Sequence, residues 1–281
     1  MAPWPASDLN WIGVGKMLVL KIGGSLSENL TNVVADLASL AQNEQIIIVH
    51  GGAARTTAVA EKMGIPQKFV TSASGVQSRF TSKETMGIFV MVLSQINKEI
   101  VALLQKNGVN AVGLTGIDAG IVRAKRKDVL KIVENGKEKL LRGDYSGKIE
   151  SVNGQAISLL LQVGVTPVVA PIALSEEFEP VNVDGDRLAG AIAAELGASL
   201  IIFTDVNGLY EKFPDENSLV KQISAGELKK FKNLKGGMGK KLIAAKEALE
   251  GGAVQVVICN GKIANPFQNA INGEKRTIIT R

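Results

Sequence analysis

The chain has 281 residues, 46% hydrophobic but only 4% aromatic, and carries a formal charge of +5 at pH 7. Its one cysteine, Cys259, and one histidine, His50, exclude an internal disulfide framework and a metal site built from several Cys or His ligands. Too few aromatics accompany the basic residues for nucleic-acid stacking, so the mild positive excess suits an acidic protein or a phosphate; no apolar run reaches the roughly 18 uncharged residues of a membrane helix.

Residues 1–16 hold two prolines and both tryptophans without periodicity or the apolar core of a signal peptide. They read as a flexible extension, with Met17 a natural start. Met17 to Leu20 is an apolar run that predicts a strand buried on both faces. Lys21 stands near its C-terminal end, and Gly23 and Gly24 terminate it. Ser25 and Glu28 form a capping-box pattern ahead of Leu30, Val33, Val34, Leu37 and Leu40, which recur at helical spacing. The unit is therefore strand, Gly-Gly turn, helix, a turn that lets backbone approach an anion.

Gln45 to Val49 predicts a second buried strand, followed by His50-Gly51-Gly52 and a helix ending at Gly64. Phe69 to Phe80 is polar and reads as a hairpin or lid. Thr81 and Glu84 suggest a capping box opening an apolar helix that runs to Asn107. Ala111 to Leu114 is a strand. Residues 121–152 are charged and alternating, with an Asn135-Gly136 hairpin signal. Beyond them, helices are predicted at Gln155–Gln162, Asp186–Leu196 and Lys240–Glu250, and strands at Val165–Ile172, Leu200–Thr204 and Val254–Cys259. The alternation predicts one α/β sheet with two lobes and excursions at 69–80 and 121–152.

Neither a Walker A motif nor Gly-x-Gly-x-x-Gly after a strand occurs. Separate glycine turns stand at strand ends instead: Gly23-Gly24, Gly51-Gly52, Gly113 to Gly116 and Gly236-Gly237. Converging on one sheet edge, they would suit a polyphosphate lying across it.

KIGGS, HGG, SRFTSKETM, GLTGIDAG, VNVDGDRLAGAIAAELGA, TDVNGLY and GGMGKK follow one another in an order that resembles the amino acid kinase family, its acetylglutamate kinase group in particular. The resemblance covers residues 17–281. It implies a three-layer αβα sandwich on a mainly parallel sheet, with an acceptor-binding lobe over about residues 17–180 and an ATP-binding lobe over about 181–281. It also implies transfer of a phosphoryl group from MgATP to a carboxylate. Such an acceptor is already ionised at pH 7, so fixed cations and backbone N–H donors, rather than a general base, are what the chemistry needs.

By position in these motifs, the resemblance makes Lys21 and Lys241 the lysines at the transferring phosphoryl group, with Lys240 the nearest competitor for the second role. Asp186 would hold both lysines. Gly23, Gly24, Gly51 and Gly52 would line the phosphate path, the last two also touching the acceptor. Thr204, Asp205, Gly208, Leu209 and Tyr210 would receive adenine and ribose. Arg79 and Asn182 would hold the acceptor's α-carboxylate end. Mg²⁺ would be carried by the ATP phosphates, with no protein side chain as ligand.

The chain departs from ordinary acetylglutamate kinases in the longer lid GVQSRFT, in Ile117, and in Asp184-Gly185-Asp186. Those features resemble kinases whose substrate, 2-aminoadipate or glutamate, is joined through its amino group to LysW, a small acidic carrier protein. Between Ile117 and Lys148 stand nine basic and five acidic residues, an excess suited to docking such a partner, with Arg123, Lys125, Arg126 and Lys127 as candidate contacts. The alternatives are a free N-acetylglutamate kinase of arginine biosynthesis and a non-catalytic sensor; Lys21, Asp186 and Lys241 argue against the sensor. The apolar helix after Thr81 suggests a homodimer. A cytoplasmic enzyme with no nucleic-acid or membrane partner is expected.

Overall fold

The computed structural model describes residues 17–23, 30–41, 44–72, 77–134, 137–234 and 236–281. Residues 1–16, Gly24, the Ser25–Glu28 capping box and the Asn135-Gly136 turn lie outside them. In chain order the elements are β1 (Met17–Ile22), α1 (Leu30–Leu40), β2 (Gln45–His50), α2 (Ala53–Lys62), β3 (Lys68–Thr71), β4 (Gln77–Phe80), α3 (Lys83–Lys106), β5 (Ala111–Thr115), β6 (Val122–Arg126), β7 (Val129–Glu134), β8 (Lys137–Arg142) and β9 (Gly147–Val152). There follow α4 (Gly154–Gln162), β10 (Thr166–Ala170), β11 (Ile172–Leu174), β12 (Pro180–Asn182), α5 (Gly185–Leu196), β13 (Ser199–Thr204), β14 (Gln222–Ser224), α6 (Gly236–Gly251), β15 (Val256–Asn260), α7 (Pro266–Asn272) and β16 (Arg276–Thr280).

Eight strands form the central sheet in the order β14-β16-β15-β13-β1-β2-β10-β5. It is parallel from β15 through β5, and only β16, antiparallel to β15, reverses direction and takes β14 with it. Successive side chains of a strand point to opposite faces, and both faces are covered. Leu18, Leu20 and Ile22 of β1 pack with Val33 and Leu37 of α1, Phe89 and Ile96 of α3, and Phe267 of α7. Val19 packs on the other side, with Ile157 of α4, Leu188 and Ile192 of α5, and Leu242 of α6. This is the three-layer αβα arrangement that the alternation predicts. Lys21, two residues after Val19, falls on the α5–α6 side.

Three differences from the expected elements have physical causes. The helix after Thr81 is capped by Ser82, whose Oγ accepts from the Thr85 N–H at 3.1 Å. Thr81 is buried, and its N–H donates to Asp144 at 2.8 Å, so it belongs to the preceding loop and Glu84 is simply an acid in the first turn. The strand expected over Val165–Ile172 breaks at Pro171, which has no N–H to give a ladder, and continues as β11 in another sheet. The 121–152 excursion is two structures. β6 and β9 pair antiparallel within a four-stranded sheet of order β12-β11-β6-β9, while β7 and β8 form a separate hairpin paired out to Glu134 and Lys137. A bridge between Ser72 and Ile132 ties that hairpin to the β3–β4 hairpin.

α3 is long and apolar enough to cross a membrane by length and composition alone, yet Ile88, Phe89, Val92, Leu93, Ile96 and Ile100 are buried in the core. Two glycines permit close approaches. A Cβ at Gly52 would collide with methyl groups of Leu93 and Ile96, and one at Gly190 would lie 3.1 Å from the Ala244 carbonyl oxygen and 3.2 Å from Ala248 Cβ, where α5 crosses α6.

His50 closes β2 and is buried. Its Nδ1–H donates to the Gly51 carbonyl at 3.0 Å, so its Nε2 accepts from Asn97 Nδ2 at 3.3 Å. Asn97 also donates to the carbonyls of Val168 and Leu114, at 2.8 and 3.3 Å, tying α3 to β10 and β5. Burial lowers the His50 pKa to about 4, against a smaller upward pull from the Gly51 carbonyl. The unfolded chain therefore takes up a proton near pH 6.5 that the fold refuses until about pH 4. Stability should fall as pH drops through that window and level off below it, by about 3 kcal/mol for this one group. Urea titrations at pH 7.5, 5.5 and 4.5 check this: His50→Gln should flatten the dependence by that amount, and an unchanged slope would refute it.

Candidate functional site

The cationic cluster is assembled from three elements. β1 presents Lys21 toward α5, the first turn of α5 holds Asp186, and α6 supplies Lys241. Asp184 caps α5, its Oδ1 accepting from the N–H groups of Asp186 and Arg187 at 2.9 and 3.0 Å, which fixes the turn that carries Asp186. Lys21 Nζ meets one oxygen of Asp186 at 2.7 Å, and Lys241 Nζ meets the other at 3.0 Å. The three side chains are only 9%, 8% and 13% exposed for Lys21, Asp186 and Lys241. Burial pushes the Asp186 carboxyl pKa up, but the two ammonium groups, Lys21 first, outweigh it and hold the group below its usual range. One net positive charge remains after the carboxylate is counted. Lys240, the competing candidate, lines the adjoining cavity instead.

That cavity measures about 1290 Å³ and is lined by Lys21, Asp186, Gly51, Gly52, Arg79 and Asn182 among others. The structure thus brings Lys21, Asp186, Gly51 and Gly52 to one space with Arg79 and Asn182, while Lys241 joins through Asp186 without lining the cavity. Arg79 leaves β4 and is half-buried between Phe69 and Phe89, whose ring centres lie 4.8 and 5.3 Å from its guanidinium carbon. Asn182 donates to Thr81 Oγ1 at 3.4 Å.

Gly23 and the 204–210 stretch are not in this lining. Thr204 ends β13, next to β1 in the sheet, and its hydroxyl donates to Asp205 at 3.1 Å. Leu209 and Tyr210 have buried side chains: the Leu209 N–H is held by Thr277 at 2.8 Å and the Tyr210 hydroxyl by Glu216, also at 2.8 Å. Gly208 packs against Thr277.

The four basic residues on and after β6 differ from one another. Lys125 and Lys127 are exposed. Arg123 lies against the exposed Phe178 ring at 5.1 Å. Arg126 is committed internally: it stacks on Tyr145 at 3.6 Å, donates to the Asp144 carbonyl at 2.9 Å, and pairs with Glu179 at 3.1 Å and Asp128 at 3.3 Å. Sequence reasoning missed Asp144, a buried carboxylate that accepts from Thr81 N–H, Ser146 N–H and the Ser146 hydroxyl. It missed Gln67 and Thr57 beside Arg79 as well. No local pattern marks any of them.

Buried ammonium groups and glycine turns at the C-terminal ends of parallel strands make an anion-handling centre of the kind phosphotransferases use. The chain belongs to the amino acid kinase family, whose family model matches residues 16–260. It is 45% identical over 272 residues to a Deinococcus radiodurans protein named [LysW]-aminoadipate kinase, covering 95% of this chain and 93% of that one. To the Thermus thermophilus protein of the same name it is 42% identical over 264 residues, covering 92% and 98%. Among solved structures it resembles the N-acetylglutamate synthase of Neisseria gonorrhoeae, with a TM-score of 0.78 at 22% identity. That match takes in 95% of this chain and 60% of the synthase, and at such identity it speaks for the fold alone.

Asp186→Asn would leave two ammonium groups facing each other without their carboxylate. Breaking a buried ion pair from one side costs about 3–5 kcal/mol. The variant should lose stability of that order in urea at pH 7, and an unchanged midpoint would show that the two lysines do not depend on Asp186.

Proposed function

We propose that the protein uses ATP to phosphorylate the side-chain carboxylate of 2-aminoadipate and/or glutamate joined through its amino group to the carrier protein LysW, giving an acyl phosphate in lysine and/or arginine biosynthesis. The observation that carries this reading is the Lys21–Asp186 pair at the wall of a cavity that also contains Arg79, with Lys241 bound to the same Asp186. The names of the two full-length relatives support the carrier-linked substrate, and they do not favour the alternative, free N-acetylglutamate.

Lys21 and Lys241 stabilise the charge that spreads over the transferring phosphoryl group, and Asp186 holds them in place. The donor set fits ATP: one uncompensated buried positive charge beside the glycine backbone at Gly51-Gly52 suits an anionic phosphoryl chain. The nucleotide belongs to the lobe of about residues 181–281, with Thr204, Asp205, Gly208, Leu209 and Tyr210 around adenine and ribose. Mg²⁺ would be carried by the ATP phosphates. Bound there, it would screen the phosphate charge against the incoming carboxylate. Arg79 and Asn182 hold the α-carboxylate end of the acceptor in the lobe of about residues 17–180.

Lys125 and Lys127 are the exposed charges that meet the acidic carrier, with Arg123 beside them and Arg126 buttressing the strand. We further assign a cytoplasmic homodimer, paired along α3 where Met91 is 53% exposed.

Lys21→Ala and Lys241→Ala should each keep the fold and lose turnover by orders of magnitude. Neutralising Lys125 and Lys127 together should raise KM for LysW-linked aminoadipate, steeply so at low salt, and leave kcat nearly unchanged. Steady-state kinetics on LysW-aminoadipate and on free N-acetylglutamate at two salt concentrations test the reading. Efficient, salt-insensitive turnover of the free compound would overturn it.

A further inference from the structure

Three arginines of this protein meet carboxylates. Arg55 is held by both oxygens of Glu99, at 2.6 and 2.8 Å. Arg187 is held by both oxygens of Glu247, and Arg126 pairs with Glu179 and Asp128. Arg79 is treated differently. Its Nη1 donates to the Gln67 side-chain oxygen, and its Nη2 donates to the Thr57 hydroxyl at 2.7 Å and the Ala53 carbonyl at 3.1 Å. Every one of these acceptors is neutral, and among the described residues no carboxylate lies in ion-pair reach of it.

The neutral acceptors are themselves fixed. Gln67 donates through its amide nitrogen to the Ile65 carbonyl at 3.2 Å and reaches Thr85 Oγ1 at 3.5 Å, so its oxygen is the end turned to Arg79. Thr57 donates its own hydroxyl proton to the Ala53 carbonyl at 2.9 Å, leaving its lone pairs for the guanidinium. Phe69 and Phe89 complete the enclosure. Together they set the plane of a half-buried cation without cancelling its charge. A carboxylate in place of Gln67 would hold Arg79 at least as firmly, so firmness alone does not explain a neutral oxygen there.

We propose that Gln67 and Thr57 are positioning residues that orient Arg79 through neutral oxygens only, so that its full charge is presented to an anionic group of the acceptor. This rests on the reading of Arg79 as the ligand of the acceptor's carboxylate.

Gln67→Glu separates positioning from support. It supplies a competing carboxylate where an oxygen already faces Arg79, at the loss of the Gln67 amide donation to the Ile65 carbonyl, so a urea titration accompanies the kinetics and a stability loss of about 1 kcal/mol is expected from that lost bond. KM for LysW-linked aminoadipate should rise about 10- to 100-fold, the range of one hydrogen bond to a charged group, with kcat and KM for ATP within about twofold. Thr57→Val and Gln67→Leu, which remove an orienting oxygen without adding charge, should raise the same KM by a smaller factor. Arg79→Ala is measured alongside. If Arg79→Ala raises the acceptor KM and Gln67→Glu leaves it within twofold, the positioning role is refuted while the reading of Arg79 stands. If Arg79→Ala itself leaves the acceptor KM unchanged, both fall. A Gln67→Glu variant that loses far more stability than that one bond and weakens acceptor and ATP alike marks a structural residue, and overturns the proposal.

Discussion

One carboxylate shared by two ammonium groups is the constraint on which the site depends. Two lysines brought this close would repel, and each alone would resist burial. Asp186 makes the arrangement possible by offering one oxygen to each. Its position depends in turn on the Asp184 cap, on β1 lying beside β2 and β13, and on α6 packing against α5 with Arg187 and Glu247 clasped across the crossing. The remaining positive charge is held in place by the fold itself, the preorganisation that the proposed phosphoryl transfer would use.

Much of this was legible in the sequence, because the informative signals are local. Four-residue apolar runs such as Ile46 to Val49 are wholly buried, and Gly51-Gly52 marks the end of β2; Gly113, however, lies inside β5, and Gly236-Gly237 opens α6 rather than closing a strand. The motif order placed Lys21, Asp186 and Lys241 in one site before any distance was known. Illegible were the features that depend on distant partners. Asp144 meets Thr81 across 63 residues, and Arg79 meets Gln67 and Thr57 across 12 and 22. Short edge elements such as β12 and β14, three residues each, carry too few side chains for a period to register. At Thr81 a local rule pointed one residue off, since both Thr81 and Ser82 are good caps and tertiary bonding decided between them.

Charge in the 121–152 region shows why counting is a coarse guide. Its basic excess is real, but Arg126 is tied to Glu179, and Glu179 also lies 3.6 Å from Lys83. Part of the positive charge is therefore neutralised within the protein and serves to fasten β6 to the neighbouring turn. The charges left to act outward are fewer and, Arg142 apart, are carried mainly by lysines, which screen easily and bind without fixed geometry. Such residues suit fast encounter, whereas the stacked and paired arginine suits permanence.

The crossing of α5 and α6 at Gly190 carries an evolutionary consequence. A methyl group there already needs the helices to give by a few tenths of an ångström, and Asp186 and Lys241 ride on those same helices about one turn away. Any larger residue would act as a wedge whose effect is felt as a longer Lys241–Asp186 distance, not as a local cavity or clash that neighbours could absorb. Because no residue is smaller than glycine, drift at this position has no neutral direction to take. Position 190 should therefore stay glycine across lineages, a constraint set by helix spacing alone.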